Sequence, residues 1–463
     1  MKKRRTFRGG YRFGKLEGSP KPELKESEIP GEVIILLRQG FGEEVPPIVK
    51  LGDKVKAGQI IGIEDSTCSS PIHATVNGTV KDIRAINRFG QETGAVFIES
   101  DGSRGWSRMS PASTDYTNFS PDEIGKAIYI SGVASLGRAG FPTRYNTSHL
   151  QPDEVESLII NAVNSEPFAL SNEVLLAGNL SKFISGIDIL RRALPGDVEV
   201  YVGVDERDKK IIAEIEKKTN WLHVYPLKPK YPQDHDVVLA QTILGKCRRD
   251  TCAPGSPYRC IVLDAQAVLH AYEAMVEGKP VIERIVALGG SGLSESLHLK
   301  VRIGTPLEYI IAPRTRHSEN RCIYGGIMTG VACDDLSLPI DRTVSSIAVL
   351  EENRERQFLS FLRPGIHRDS FSNAFLSSPF PMVNRRIDTN INGEHRPCIY
   401  CNYCEEVCPV GLMPYLLSQY ITHDMVEEAG RYRIQACIDC GLCTYVCPSK
   451  IPLMTHIQEG KEG

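Results

Sequence analysis

The stretch Cys398-Ile-Tyr-Cys401-Asn-Tyr-Cys404-Glu-Glu-Val-Cys408-Pro409 and its echo Cys437-Ile-Asp-Cys440-Gly-Leu-Cys443-Thr-Tyr-Val-Cys447-Pro448 decide how this chain reads. Iron in a cubane cluster takes soft thiolate ligands, and three cysteines at two-residue spacing on one tight loop reach three of its corners. The fourth cysteine of each run lies too far along its own segment and ligates the other cluster. The spacing therefore assigns one [4Fe-4S] cluster to Cys398, Cys401, Cys404 and Cys447. It assigns a second to Cys437, Cys440, Cys443 and Cys408. The proline after each fourth cysteine turns the chain away from the loop. A zinc site uses four ligands in two pairs and has no use for the third cysteine or the Cys-Pro step. Two clusters this close in sequence are expected to lie close in space and to move single electrons.

The remaining chain is ordinary in composition. Its 463 residues suffice for three or four domains. Apolar residues make up 41% and charged residues 24%, as in soluble globular proteins. A net charge of -3 points away from a nucleic-acid partner. The other cysteines, Cys68, Cys247, Cys252, Cys260, Cys322 and Cys333, follow no disulfide framework, and oxygen-sensitive clusters imply a reducing compartment. Cys247, Cys252 and Cys260 read as unrelated thiols in preference to a third metal site. Met1-Lys-Lys-Arg-Arg5 has no apolar run behind it, so no signal peptide is expected. No apolar stretch approaches the ~20 residues a membrane helix needs, so any work at a membrane would go through partners.

Residues 1–28 are basic and rich in Gly and Pro, which predicts a flexible arm. The alternative is an extended tail lying on a neighbouring protein or an anionic surface. Residues 29–105 read as short strands with turns at Gly52-Asp53 and Ala57-Gly58. This half resembles the barrel-sandwich hybrid fold of biotinyl and lipoyl carriers. The stretch Glu64-Asp-Ser-Thr-Cys-Ser-Ser70 has no lysine to carry a cofactor, so a structural module is expected, with His73 packed and not a ligand. Residues 120–280 alternate strand and helix, the pattern of a doubly wound α/β domain. Residues 281–315 form a strand-turn-strand-helix unit resembling a β-grasp (soluble-ligand-binding) module, with Pro306 opening its helix. Residues 316–380 are a connecting region that the pattern does not place. Residues 381–455 hold the cysteine runs, with a helix expected over 416–428 between them. The fold class is thus multidomain α/β, with a barrel-sandwich β domain, a doubly wound domain, a β-grasp module and an α-helical dicluster ferredoxin domain.

In this order the modules resemble the RnfC component of the Rnf electron-transport complex and its relative, the NqrA component of the Na+-translocating NADH:quinone reductase. Besides the barrel half and the cysteine runs, Gly137-Arg-Ala-Gly-Phe-Pro-Thr143 is similar to the glycine-rich flavin loop of RnfC and of the flavin-bearing NADH subunit of respiratory complex I. Lys230-Tyr-Pro-Gln233 is similar to another RnfC stretch. Residues 354–365 and 442–450 look more like the quinone-reductase component. The resemblance implies FMN and NADH as further cofactors, with Gly137, Arg138, Gly140, Thr143 and Glu166 as the flavin residues and Lys230 near the phosphate. This chain departs from the family pattern at two points. Arg138 stands at a glycine position, and Asn161-Ala-Val-Asn-Ser-Glu-Pro167 has Asn164 where the family has an acid. A working flavin site and a pocket that only packs both fit those departures.

The resemblance implies a peripheral subunit on the cytoplasmic side of the cell membrane. There it would relay electrons between NADH or ferredoxin and membrane subunits of an ion-translocating complex. A self-contained soluble NADH-dependent reductase and a scaffold with structural clusters are the rival readings.

Overall fold

Val33-Ile-Ile-Leu-Leu37, apolar on both faces, is buried along its length in the first module. The computed structural model describes residues 6–40, 43–64, 69–109, 112–133, 155–194, 196–245, 260–354, 371, 385–391 and 394–462. In the first module strands Glu32–Leu36, Gln91–Ser100, Gly78–Arg88 and Lys54–Val55 make an antiparallel sheet in that order. A two-stranded sheet, Ile60–Gly62 with Ile72–His73, closes over it. Val33, Ile35, Val55, Ile61, Val80 and Ile98 fill the space between. His73 is packed among them, as expected. Burial, and then the Arg342 charge, bring its pKa down to about 3.

The α/β module opens on helix Pro121–Ile130, whose Ser120 and Glu123 form a reciprocal capping box. Its sheet is wholly parallel and runs Leu222–Leu227, Glu199–Asp205, Ser157–Ala162, Cys260–Asp264. The central strand is apolar on both faces because both are covered. Leu158 and Ile160 meet helices Leu180–Ala193 and Ala265–Tyr272, while Ile159 meets helix Asp236–Leu244. In chain order this is 3-2-1-4, so the direction of winding reverses between Ser157–Ala162 and Cys260–Asp264. In such sheets ligands sit beyond the carboxyl ends of the strands at that point.

The third module is larger than its sequence pattern suggests. Strands Glu283–Gly289 and Leu297–Arg302 pair antiparallel, as expected, and helix Leu307–Ile311 follows. The sheet then continues through Ser346–Glu351, Asn320–Tyr324 and Val331–Cys333. Much of the region left unplaced by sequence, up to Glu351, is therefore part of this sheet. Its opposite edge is supplied by Leu24–Glu26, parallel to Leu297–Arg302.

That edge strand belongs to residues 6–28, where the composition suggests a flexible arm. The structure instead shows a strap lying on its own chain. Gly10 donates to the Val407 carbonyl at 2.7 Å, and Tyr11 and Tyr231 exchange backbone bonds at 2.9 Å. Lys15 and Glu17 bracket Arg385. Gly9 and Gly10 have φ of +73° and +76°. A Cβ on Gly9 would stand 2.7 Å from the Cys408 carbonyl oxygen, so the backbone approaches the cysteine domain more closely than any side chain permits.

Arg342 joins three modules. Its buried guanidinium donates to Ser70 Oγ at 2.8 Å, the Pro71 carbonyl at 3.0 Å and the Gly132 carbonyl at 3.1 Å. Replacing it by Met should destabilise the fold by about 3 kcal/mol, because several buried acceptors lose a charged donor. Denaturant titration reads that loss, and a change under about 1 kcal/mol would contradict it.

A pH dependence follows from His73 and His270, both buried and both depressed to about 3, chiefly by burial. The unfolded chain takes up protons near pH 6.5 that the folded chain refuses. Their contribution is therefore intact above about 6.5 and is lost as pH falls toward 3. The loss is about 1.4 kcal/mol per pH unit for each histidine. Denaturant titrations between about pH 7.5 and 5.5 should show it. His73→Leu should remove roughly half of the histidine part of that slope.

Candidate metal centres and the cleft beside them

The two cysteine runs fold alike. Cys404 lies in helix Tyr403–Val407 and Cys443 in helix Leu442–Val446. Ahead of each helix the chain takes left-handed turns at matching positions: Tyr400 and Asn402 with φ of +53° and +61°, Asp439 and Gly441 with φ of +51° and +74°. Asn, Asp and Gly tolerate that conformation best, and it coils the first three cysteines of each run around one space.

The thiols stand around two cavities. Cys398, Cys401, Cys404 and Cys447 line one, and Cys408, Cys437, Cys440 and Cys443 line the other. Four thiols around each space, three at two-residue spacing and a fourth before a proline, suit a polynuclear cluster. Burial pushes the Cys404 and Cys437 thiols up to about 11, and Cys443 is raised well above the ordinary range. Cys404 of the first set also acts on Cys443 of the second, so the two sets are neighbours. Iron binding to such thiols must displace protons and supply the positive charge that burial withholds. Backbone N–H groups already face sulfur: Tyr400 donates to Cys398 Sγ at 3.4 Å and Leu412 to Cys408 Sγ at 3.3 Å.

The second set is bolted to the rest of the chain. The hydroxyl of the buried Tyr231 donates to the Cys440 carbonyl at 2.7 Å. Tyr231, Val407, Cys440, Leu442 and Val446 form one apolar cluster, with Tyr11, Phe13 and Tyr445 of strap and cysteine domain against it. The ring of Tyr11 lies 4.9 Å from Phe13 and 5.4 Å from Tyr445.

A cleft of about 520 Å³ adjoins this set, at the winding reversal of the parallel sheet. Asn161 and Asp264, at the carboxyl ends of the two strands concerned, both line it. So do Asn164, Glu166, Asp234, Gln266, Gly325 and, from the second cysteine run, Asp439. Asp264 also caps helix Ala265–Tyr272, accepting from Gln266 and Ala267 N–H at 2.9 Å. Asp234 holds Ser165, accepting from its hydroxyl and from its N–H.

Of the residues expected to hold flavin, Gly137, Arg138, Gly140 and Thr143 lie outside the described residues, as do Cys68, Cys247 and Cys252. Glu166 is in the cleft wall. Its carboxylate accepts the Met328 N–H at 2.7 Å, and the Met328 carbonyl packs on Gly441, where a Cβ would come within 2.8 Å of it. Lys230 is not with it. Its ammonium donates to the Phe7 carbonyl at 2.8 Å and sits 4.3 Å over the Phe7 ring, fastening the strap. Burial, then Arg12 and Lys228, lower its pKa. Asn164, standing where the family has an acid, accepts from Asn172 Nδ2 at 2.7 Å. Sequence reading passed over Asp234 and Asp264. The signal for Asp264 was present: an acid between an apolar strand and an Ala-rich helix start.

Comparison with known proteins agrees with this architecture. Residues 5–103 match the RnfC barrel sandwich hybrid domain, 128–273 the Nuo51 FMN-binding domain and 397–451 a 4Fe-4S dicluster domain. The chain is thus an iron–sulfur protein built on a flavin-domain scaffold. The C component of an ion-translocating oxidoreductase complex from Pseudomonas aeruginosa is 28% identical over 95% of this chain and 53% of its own length. The C component of a proton-translocating ferredoxin:NAD(+) oxidoreductase complex from Clostridium ljungdahlii is 27% identical over 92% of this chain and 86% of its own length. The chain therefore spans about half of the first relative and most of the second. In module order and in these relatives the chain is similar to the C components of ion-translocating oxidoreductase complexes. The NAD+-reducing [NiFe]-hydrogenase in its H2-reduced state shares 13% identity, with a TM-score of 0.47, over 76% of this chain and 64% of the other.

Tyr231→Phe should cost about 1–2 kcal/mol, since a buried carbonyl loses its donor. It should also speed the loss of iron to a chelator. Unchanged chelation kinetics would show that the Tyr231 hydroxyl does not hold the cysteine loop.

Proposed function

We propose that this chain is a peripheral electron-transfer subunit of a membrane-bound, ion-translocating oxidoreductase complex, docked on the cytoplasmic face. The observation that carries the reading is the placement of eight thiols around two neighbouring cavities, the second walled by the same loop that lines a cleft at the sheet's winding reversal. When bound, two [4Fe-4S] clusters supply one-electron transfer and FMN the exchange between hydride and single electrons.

The chain's own residues do the rest. Cys398, Cys401, Cys404 and Cys447 hold one cluster; Cys437, Cys440, Cys443 and Cys408 hold the other. The cleft accommodates FMN, with Glu166, Asn164, Asp234 and Asp264 in its wall, and about 520 Å³ lies within the range of cofactor sites. Met328 packs on Gly441, so the cleft wall positions the second cysteine loop. The set holding Cys437 is the inner one and the set holding Cys398 the outer. Ile399 and Tyr400, 65% and 61% exposed between two ligands of the outer set, form the face toward the next redox partner. NADH or ferredoxin serves as the soluble electron carrier, and the membrane subunits of the complex are the other partner. Among the described residues no helix is long and apolar enough to cross a membrane, which fits a docked subunit.

Anaerobically reconstituted protein should hold about eight irons per chain, one per thiol of the two runs. Substituting Cys398 or Cys447 by Ser should remove the same cluster, and Cys408 or Cys437 the other. Loss of one cluster by Cys398→Ser and of the other by Cys447→Ser would contradict the crossed assignment. Membranes should release the chain on washing with alkali or urea, and bound FMN should be reduced by NADH. Recovery only as a free soluble protein would overturn the docking.

A further inference from the structure

The two cysteine runs are repeats, yet one position differs sharply in charge between them. Counting from the first cysteine of each run, Tyr400 of the first matches Asp439 of the second, and both are left-handed. Tyr400 is exposed, and its hydroxyl accepts from Gln419 Nε2 at 3.0 Å. Asp439 is bound by Lys461: Nζ lies 2.6 Å from Asp439 Oδ2, and the same ammonium donates to the Cys437 carbonyl at 3.2 Å. The other carboxylate oxygen, Oδ1, is buried and has no hydrogen-bond partner among the described residues. Asp439 lines the cleft and lies in the ligand loop between Cys437 and Cys440. Lys461 lies in helix Leu453–Glu462, beyond the residues that match the dicluster family.

We infer that Lys461 and Asp439 are positioning residues that set the reduction potential of the cluster held by Cys408, Cys437, Cys440 and Cys443, and of that cluster alone. The inference rests on the two-cluster reading. A cluster gains negative charge when it takes an electron, so a nearby cation favours the reduced state and a nearby anion disfavours it. The ammonium acts from the Cys437 carbonyl and the carboxylate from two residues further along the ligand loop. In the intact pair their effects oppose. Removing one member leaves the other uncompensated in a partly buried site, where charge is poorly screened. The outer set has no charged side chain at the matching position. The same ligand loop, used twice, is thereby given two different electrostatic settings.

The test is a potentiometric titration of the full chain, anaerobically reconstituted, followed by electron paramagnetic resonance with iron and sulfide counted in parallel. Lys461→Met should lower one midpoint, and Asp439→Asn should raise that same midpoint. Each shift should be about tenfold in the one-electron equilibrium, about 59 mV. The second midpoint should stay in place. Asn tolerates the left-handed backbone of position 439, so that variant keeps the loop. Should Lys461→Met shed a cluster, the sign of the shift in Asp439→Asn decides alone. Full iron content with both midpoints unmoved, or shifts of the same sign in both variants, would overturn the inference. Unsubstituted protein with far fewer than eight irons would sink the two-cluster reading, and the inference with it.

Discussion

The hydrogen bond from Tyr231 to the Cys440 carbonyl is the constraint on which the arrangement turns. Electron transfer needs redox centres held at fixed short distance, and the cysteine domain is a separate module of short helices with a small core of its own. Its position relative to the cleft is set by a few contacts across one seam. Tyr231 supplies a buried hydroxyl, the strap supplies backbone hydrogen bonds at Gly10 and Tyr11, and Met328 supplies a carbonyl packed on Gly441. The hydrogen bonds are short-range and directional, so they fix distance as well as adding stability.

The strap explains why glycine and polarity at residues 6–28 coexist with order. Such composition ordinarily leaves too little apolar surface to offset chain entropy. Here the segment adds an edge strand to a sheet and threads two glycines between Val407, Cys408 and Tyr231, so its backbone takes a direct part in the binding. Tyr11 and Phe13 complete the apolar cluster. Lys230, whose side chain meets Phe7, belongs to this fastening and not to the cleft.

Legibility in the sequence followed the range of the interactions. The cysteine runs carry their chemistry within a dozen residues, and their assignment to two groups needed only spacing. The parallel sheet was readable because a strand such as Leu158-Ile-Ile-Asn-Ala, apolar on both faces, has few other uses. The mixed sheet was only half readable. Asn320–Tyr324 and Ser346–Glu351 pair over a separation that no local pattern encodes, and Leu24–Glu26 joins from nearly three hundred residues away. The fastening of the strap by Lys230 was hidden for the same reason: a resemblance over four residues says nothing about what lies across from them.

The cleft wall sets amides beside its acids. Asn172 donates through its side-chain amide to the Asn164 side-chain oxygen, at a position where a carboxylate would need a cation or several N–H donors. The neighbouring acids are already engaged: Glu166 with Met328, Asp234 with Ser165, Asp264 with the start of a helix. These bonds fix the shape of the cleft before any ligand arrives. A ligand meeting this wall finds acceptors already oriented by these bonds.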